Sequence, residues 1–100
     1  MVRVEVTLPL VDNNRNPIHR SYISRTIAEI YLETKGYYWY LRTGAWRDEE
    51  ENVDYGPDEE LTVVSETNLE KINWFLEKRP CWTKRFKQKE IHLVISCVER

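Results

Sequence analysis

Apolar and polar residues alternate over the first ten positions, and this alternation predicts a β-strand over residues 2–10. One face of the strand is apolar throughout, so we expect it to pack against a core. The other face carries Arg3, Glu5 and Thr7. Asn, Asp and Pro fill residues 12–17, which indicates a turn after the strand.

Residues 21–35 carry apolar side chains at the spacing of one helix face, which predicts a first helix. Ser21 is the expected N-cap. Gly36 is expected to take the left-handed conformation after the last turn. The predicted buried stripe contains Ile23, Ile27, Ile30 and Tyr31.

A second helix is predicted from Thr67 to about residue 78. Thr67 and Glu70 match the capping box, in which the two side chains cap each other's backbone N–H groups. Pro80 disfavours helical geometry at the residue before it, so we expect the helix to end there. The predicted buried stripe contains Leu69, Ile72, Phe75 and Leu76.

Aromatic residues dominate the segment 37–47, which predicts a second strand with a bulge or bend at Gly44. Both faces are aromatic, although a half-buried strand needs bulky residues on one face only. We assign the set that includes Trp39 to the core. The set assigned to the exposed face is Tyr38, Tyr40 and Arg42.

The remaining elements follow from charge and β-propensity. Residues 48–60 contain eight acidic side chains, no basic one and a Gly-Pro pair, which predicts a solvated loop. Strands are predicted at 61–65 and 91–98, and the segment 81–90 is expected to form a short connector.

The resulting β-α-β-β-α-β order predicts one ferredoxin-like α+β domain over residues 1–100, with an antiparallel four-stranded sheet and two helices on one face. Right-handed crossovers then give the strand order 4-1-3-2. The other sheet face is left open. The alternative is an α+β meander with another strand order.

Composition narrows the class of protein. Apolar residues make up 41% of the chain and charged residues 32%, which is typical of a soluble domain. No apolar run reaches the length of a membrane span and no secretion signal is visible, so we expect a cytoplasmic protein without membrane contact. Two cysteines and two separated histidines predict no disulfide framework, metal site or cofactor. We expect Cys97 to pack in the core and Cys81 to be unreactive.

The open face is the first candidate site, because Tyr, Trp and Arg are enriched at interfaces. We expect a small non-catalytic interaction protein, since no catalytic motif is present. It is expected to bind a second copy or another protein through the open face or through the aromatic edge strand 37–47. An alternative is a dimeric α+β barrel-type enzyme that binds a small ligand on the open face, with Glu5, His92 and Tyr40 close together. The predicted binding residues are Tyr38, Tyr40, Arg42, Trp46, Arg3, Glu5 and His92.

A basic segment at 78–89 is the second candidate site and suggests a nucleic-acid-binding module. Its cations can neutralise phosphate, and Trp82 and Phe86 between them can stack on bases. The net charge of −2 does not favour this alternative. The predicted contact residues are Lys78, Arg79, Lys84, Arg85, Lys87 and Lys89.

Residues 82–91 resemble an aromatic-x-x-Arg-Phe-x-Gln-x-x-aliphatic signature found in a family of small bacterial proteins of unknown function. Residues 8–12 (LPLVD) and 44–46 (GAW) are similar to two further stretches of that family. The resemblance implies a ferredoxin-like fold and no established activity. It also implies a structural role, fixing the connector before the last strand, for Arg85, Phe86 and Gln88.

Overall fold

The computed structural model describes residues 1–98, apart from the side chains of Trp46 and Tyr55. In this part of the chain the elements are β1 (Val2–Pro9), α1 (Arg20–Thr34), β2 (Tyr38–Asp48), β3 (Val53–Thr67), a 3₁₀ turn (Leu69–Lys71), α2 (Ile72–Arg85) and β4 (His92–Cys97). All strand pairs are antiparallel. The predicted α+β class, with a four-stranded antiparallel sheet and two helices, is confirmed.

The strand order is β2-β3-β1-β4, so β1 and β3 are central and β2 and β4 form the edges. The core lies between the sheet and the helices. Valine and leucine side chains of β1 and β3 contact Ile30 of α1 and Phe75 and Trp82 of α2, all of them buried. Full burial of each such side chain contributes about 1.5–3 kcal/mol, so this layer is the main source of stability.

Helix α2 is longer than predicted and contains Pro80. The expected end near residue 78 was wrong, because burial of Trp82 and Phe86 holds the last turns against the core. The predicted stripe was wrong at Leu69 and Leu76, which are exposed. A proline inside a helix removes one backbone hydrogen bond, and packing here outweighs that loss.

The helix ends also differ from the predicted caps. The side chain of His19, not Ser21, caps α1 by accepting from the Ser21 N–H at 3.1 Å. Lys35, not Gly36, takes the left-handed conformation at the end of α1. The capping box at Thr67 is absent from the described contacts, because Thr67 belongs to β3 and Asn68 precedes the 3₁₀ turn.

The acidic segment 48–60 is not a loop, so this prediction was wrong. Most of it pairs with β2 as the first half of β3, and only residues 49–52 connect the strands. The sequence pattern missed the basic residues on the facing strand: Arg47 bonds Asp54 at 2.6 Å, and Arg42 lies opposite Glu60. Cross-strand pairs of opposite charge offset the repulsion between the acids. The predicted irregularity at Gly44 is a register shift between Gly44 and Trp46.

The edge strands are less covered than predicted. Trp39 and Leu41 share the helix-facing side of the sheet with Val63 and Leu61, which confirms their assigned face. They are nevertheless 54% and 52% exposed, so the expectation that they lie in the core was wrong. Cys97 on the other edge is also exposed, contrary to prediction. The helices therefore cover the two central strands better than the edges.

Candidate functional site

The face of the sheet opposite the helices, here called the open face, is built from rows of residues in register. One row runs Tyr40, Thr62, Thr7, His92 across the four strands. The next row runs Tyr38, Val64, Glu5, Val94. Although no helix covers this face, its central side chains are buried, with Val64 at 0% and Thr62 at 1% exposure.

A hydrogen bond across β3 helps to explain that burial. The Tyr40 hydroxyl on β2 donates to Glu5 Oε1 on β1 at 3.1 Å. The two strands are about 10 Å apart, so the tyrosine extends over the intervening Thr62 and Val64. Beneath it, the hydroxyls of Thr7 and Thr62 bond each other at 3.1 Å. The pair places a phenol and a carboxylate together at the surface, where both can contact a ligand.

A groove of about 650 Å³, here called the end groove, opens where β1 ends and β4 begins. Its walls are the outer part of the β2–β3 hairpin, the loop that follows β1, and the segment that leads into β4. Thr7 and His92 belong both to this groove and to the open face. Glu5 lies two residues from Thr7 along β1, about 7 Å away, so the Tyr40–Glu5 pair borders the groove.

The lining of the end groove is acidic, with six carboxylates against three basic side chains. The carboxylates are those of Asp12, Asp54, Asp58, Glu59, Glu60 and Glu90. The basic side chains are those of Arg15, Arg42 and Lys89. An excess of negative charge in a concave site favours a ligand that carries positive charge.

Most of these charges are already engaged. Asp12 accepts from the backbone N–H groups of Asn14 and Asn16, at 2.8 and 2.9 Å, and so fixes the loop after β1. Arg15 at the tip of that loop bonds Asp58 on β3. Lys89 on the opposite wall bonds Asp48 on the hairpin. The hydrogen bond from Lys89, and then the Glu51 backbone N–H, lowers the pKa of Asp48, and the same contact raises the pKa of Lys89.

Arg42 and Glu60 differ from these groups, because no hydrogen bond or ion pair between described side chains engages either of them. They face each other from β2 and β3. The Glu60 side chain turns towards Gly44, where an added Cβ would overlap its Oε1. The missing side chain at Gly44 therefore makes room for this carboxylate and leaves Arg42 free.

The predicted open-face residues divide into three groups. Glu5 and Tyr40 are joined, as the enzyme alternative expected, but His92 pairs with Thr7 and takes no part in that contact. Arg3 bonds Glu66 at 3.0 Å farther along the face, and Tyr38 is 51% exposed. Arg42 lies in the end groove with His92, while the side chain of Trp46 lies outside the described part.

Sequence reasoning missed Glu60, Arg15 and Asp58. The acids had been assigned to a loop, and the register that places Glu60 opposite Arg42 was therefore not visible. Gly44 was the one available clue. A glycine on an otherwise bulky strand often marks the close approach of another group.

The basic segment is less available to a polyanion than its sequence suggests. Lys78 lies 3.7 Å from Glu29, and Arg79 lies 3.3 Å from Glu90. Lys84 and Lys87 are exposed and make no ion pair with any described side chain. The aromatic residues expected to stack on bases, Trp82 and Phe86, are 0% and 1% exposed, so that expectation was wrong.

Arg85 serves the fold instead. Its guanidinium donates to both oxygens of Glu29 on α1, at 2.6 and 3.1 Å, and to the Thr26 hydroxyl at 2.8 Å. The indole N–H of Trp82 also donates to Glu29. The Arg85 hydrogen bond is the main cause that lowers the pKa of Glu29 to about 2. Arg85 therefore joins the two helices.

Among the described side chains, no group of three or more His, Cys, Asp and Glu could hold a metal ion. Within residues 1–98 no helix is both long enough and apolar enough to span a membrane.

Comparison with known proteins adds one finding. No protein-family model and no curated protein matches the sequence. Among solved structures, the chain is similar to a phage SAM lyase in complex with S-methyl-5'-thioadenosine, with a TM-score of 0.73 and 8% sequence identity. The match covers 95% of this chain and 79% of that one. At this identity the similarity shows the fold.

This finding also corrects the sequence-based function. The sequence predicts a non-catalytic interaction protein, on the ground that no catalytic motif is present, and this prediction was wrong. The fold of this chain is similar to that of an enzyme, a phage SAM lyase, so the missing motif does not argue against catalysis. The chemistry of the open face and the end groove is the better guide.

Proposed function

We propose that this chain is an enzyme that cleaves a sulfonium nucleoside of the S-adenosylmethionine class on its open face. The observation that carries the proposal is the Tyr40–Glu5 pair beside an acidic groove, in the fold of a protein that acts on such a compound. A sulfonium ion is a cation without N–H or O–H donors. Carboxylates and the faces of aromatic rings are the groups that bind it best.

The open face supplies both kinds of group. Glu5 provides a carboxylate, and the half-exposed rings of Tyr38 and Tyr40 flank it. The bond from Tyr40 engages one Glu5 oxygen, and no described group bonds the other, so it can contact a ligand. The excess of acidic groups in the end groove adds long-range attraction for a cationic substrate.

The reaction that fits this site is cleavage of a carbon–sulfur bond of the sulfonium. Both electrons of the bond stay on sulfur, which gives a neutral thioether. The bond that breaks joins sulfur to the chain carbon of the amino-acid part. That carbon either forms a bond to an oxygen of its own carboxylate group, or forms a double bond to the neighbouring carbon as a base removes a proton from that neighbour. Neither route requires a second substrate, and in the second route Glu5 is the base within reach.

Release of S-methyl-5'-thioadenosine from S-adenosylmethionine, followed by chromatography, tests the proposal. We expect Glu5→Gln to lower kcat/KM by about ten- to a hundred-fold, the range expected for loss of one charged contact. Tyr40→Phe should lower it less, because Glu5 remains. The matched control is Tyr31→Phe on α1, another partly exposed tyrosine (48% against 39% for Tyr40), which lies away from the site and should retain full activity. Absence of both product release and thioadenosine binding in the wild type would overturn the proposal.

Three broader expectations belong to the same proposal. The β-α-β-β-α-β order and the strand order, which read from β4 is 4-1-3-2, support assignment to the ferredoxin-like class. A cytoplasmic location fits a nucleoside substrate. Association with a second copy is supported by the exposed aromatic edge strand β2, since such edges are covered in most proteins. Light scattering at micromolar concentration tests the last point, and a strict monomer would contradict it.

A further inference from the structure

We propose that Arg42 and Glu60 form a subsite for the α-amino-acid group of the substrate, an inference that rests on the proposed function and extends it. Arg42 would bind the α-carboxylate and Glu60 the α-ammonium. The site would thus recognise the amino-acid end of S-adenosylmethionine as well as its sulfonium.

The first argument is that these two charges are free. In the end groove Arg15 bonds Asp58 and Lys89 bonds Asp48, whereas no described side chain engages Arg42 or Glu60. Facing residues of opposite charge on neighbouring strands normally pair with each other. Here they do not, because the Glu60 side chain lies over Gly44.

The second argument is position. Arg42 and Glu60 occupy the row next to that of Tyr40, Thr62, Thr7 and His92 on the open face. One row along a strand pair is about 7 Å, since it is two residues. The sulfonium of S-adenosylmethionine is separated from its α-carbon by two methylene groups. A sulfonium against the Tyr40 ring therefore leaves the amino-acid group within reach of the Arg42 side chain, whereas the Glu5 row lies one row farther from Arg42.

The third argument is chemical match. A guanidinium binds a carboxylate through two parallel N–H bonds, and a carboxylate accepts from an ammonium. An unengaged cation facing an unengaged anion is the complement of an α-amino acid. An acidic groove without Arg42 would attract cations in general but would not distinguish an amino acid from a simple amine.

Calorimetric binding of three ligands to the full chain tests the subsite. S-adenosylhomocysteine has both charged groups, decarboxylated S-adenosylmethionine has only the ammonium, and S-methyl-5'-thioadenosine has neither. We expect Arg42→Gln to weaken S-adenosylhomocysteine binding by about ten- to a hundred-fold and to leave S-methyl-5'-thioadenosine unchanged. Decarboxylated S-adenosylmethionine should bind no more weakly, because the variant removes a positive charge that repels this cationic ligand. Glu60→Gln should weaken both amine ligands and leave S-methyl-5'-thioadenosine unchanged.

The controls are Arg25→Gln on α1 and Glu77→Gln on α2, both exposed and away from the groove, which should bind all three ligands as the wild type does. Equal weakening of all three ligands by Arg42→Gln, or no change in any, would overturn the subsite while the proposed function stands. A wild type that binds none of the three would overturn both.

Discussion

Glu29 of α1 and Arg85 of α2 are joined by two hydrogen bonds, and the Arg85 side chain is only 7% exposed. This pair ties the helices together above the core. Loss of one partner would leave a largely buried charge without compensation, which is costly. We therefore expect Glu29→Gln to lower the free energy of unfolding at pH 7 by about 3 kcal/mol, measured by urea denaturation.

The effect should depend on pH with a defined sign. The pKa of Glu29 is about 2 in the folded protein, below its ordinary value of 4.5. Its stabilisation is therefore fully present above about pH 5 and is lost as the pH falls towards 2. The difference between wild type and Glu29→Gln should shrink over that range. Glu33→Gln is the control, because its pair with Lys71 is about one-third exposed and should contribute less than about 1 kcal/mol. Equal stabilities of wild type and Glu29→Gln at pH 7 would contradict the assignment.

The three glycines should respond differently to alanine. Gly36→Ala meets no atom within 4 Å and should change stability by less than about 1 kcal/mol. Gly56→Ala combines a φ of +100° with overlap onto the backbone of residues 44 and 45, so we expect a loss of at least about 2 kcal/mol. Gly44→Ala overlaps only the flexible end of Glu60 and should cost little stability.

Gly44→Ala should change ligand binding, whereas Gly36→Ala should not. Because Gly44→Ala displaces the Glu60 carboxylate, it should weaken decarboxylated S-adenosylmethionine much as Glu60→Gln does. Gly36→Ala provides the control for binding. If Gly44→Ala bound this ligand as tightly as the wild type, Glu60 would not depend on the space at Gly44.

Local patterns predicted most of the fold. Alternation in residues 2–10 and the spacing of Ile23, Ile27 and Ile30 reflect burial on one face, which the structure reproduces. The local patterns failed where the secondary structure of a segment depends on contacts with residues far away in the sequence. Residues 53–60 form a strand because they pair in register with β2, where Arg47 bonds Asp54. Helix α2 continues past Pro80 because Trp82 is buried in the core. The site was only partly predictable for the same reason: Glu5 and Tyr40 share a face, but Glu60 enters the site through the register of the hairpin.

The sequence pattern assigned Trp39 to the core and Trp82 to the connector. The structure predicts that Trp82 contributes more to stability than Trp39 does. Trp82 is fully buried and contacts Phe75 and Trp74 edge-to-face, with ring centroids 6.1 and 5.8 Å away. Trp82→Ala should therefore cost about 3–5 kcal/mol by urea denaturation. Trp39→Ala should cost less than half as much, because the side chain is 54% exposed. A larger loss from Trp39→Ala would show that this residue is covered in solution, for example by a second copy.

The Arg15–Asp58 pair should regulate how strongly the end groove attracts cations. Arg15 crosses from the loop after β1 to β3 and is 64% exposed, so Arg15→Gln should change stability by less than about 1 kcal/mol. It also frees the Asp58 carboxylate within an already acidic groove. We expect Arg15→Gln to tighten binding of decarboxylated S-adenosylmethionine by about two- to fivefold at low salt, and Asp58→Asn to weaken it by a similar factor.

High salt should reduce both effects, because exposed charges are screened over roughly 10 Å or less. Arg25→Gln removes the same charge from α1, outside the groove, and should leave binding nearly unchanged. If Arg15→Gln and Arg25→Gln tightened binding equally, only the net charge of the protein would matter. A larger gain in affinity for Arg15→Gln than for Arg25→Gln would show that the charges of the end groove attract the cationic ligand. The two variants differ only in where the positive charge is lost.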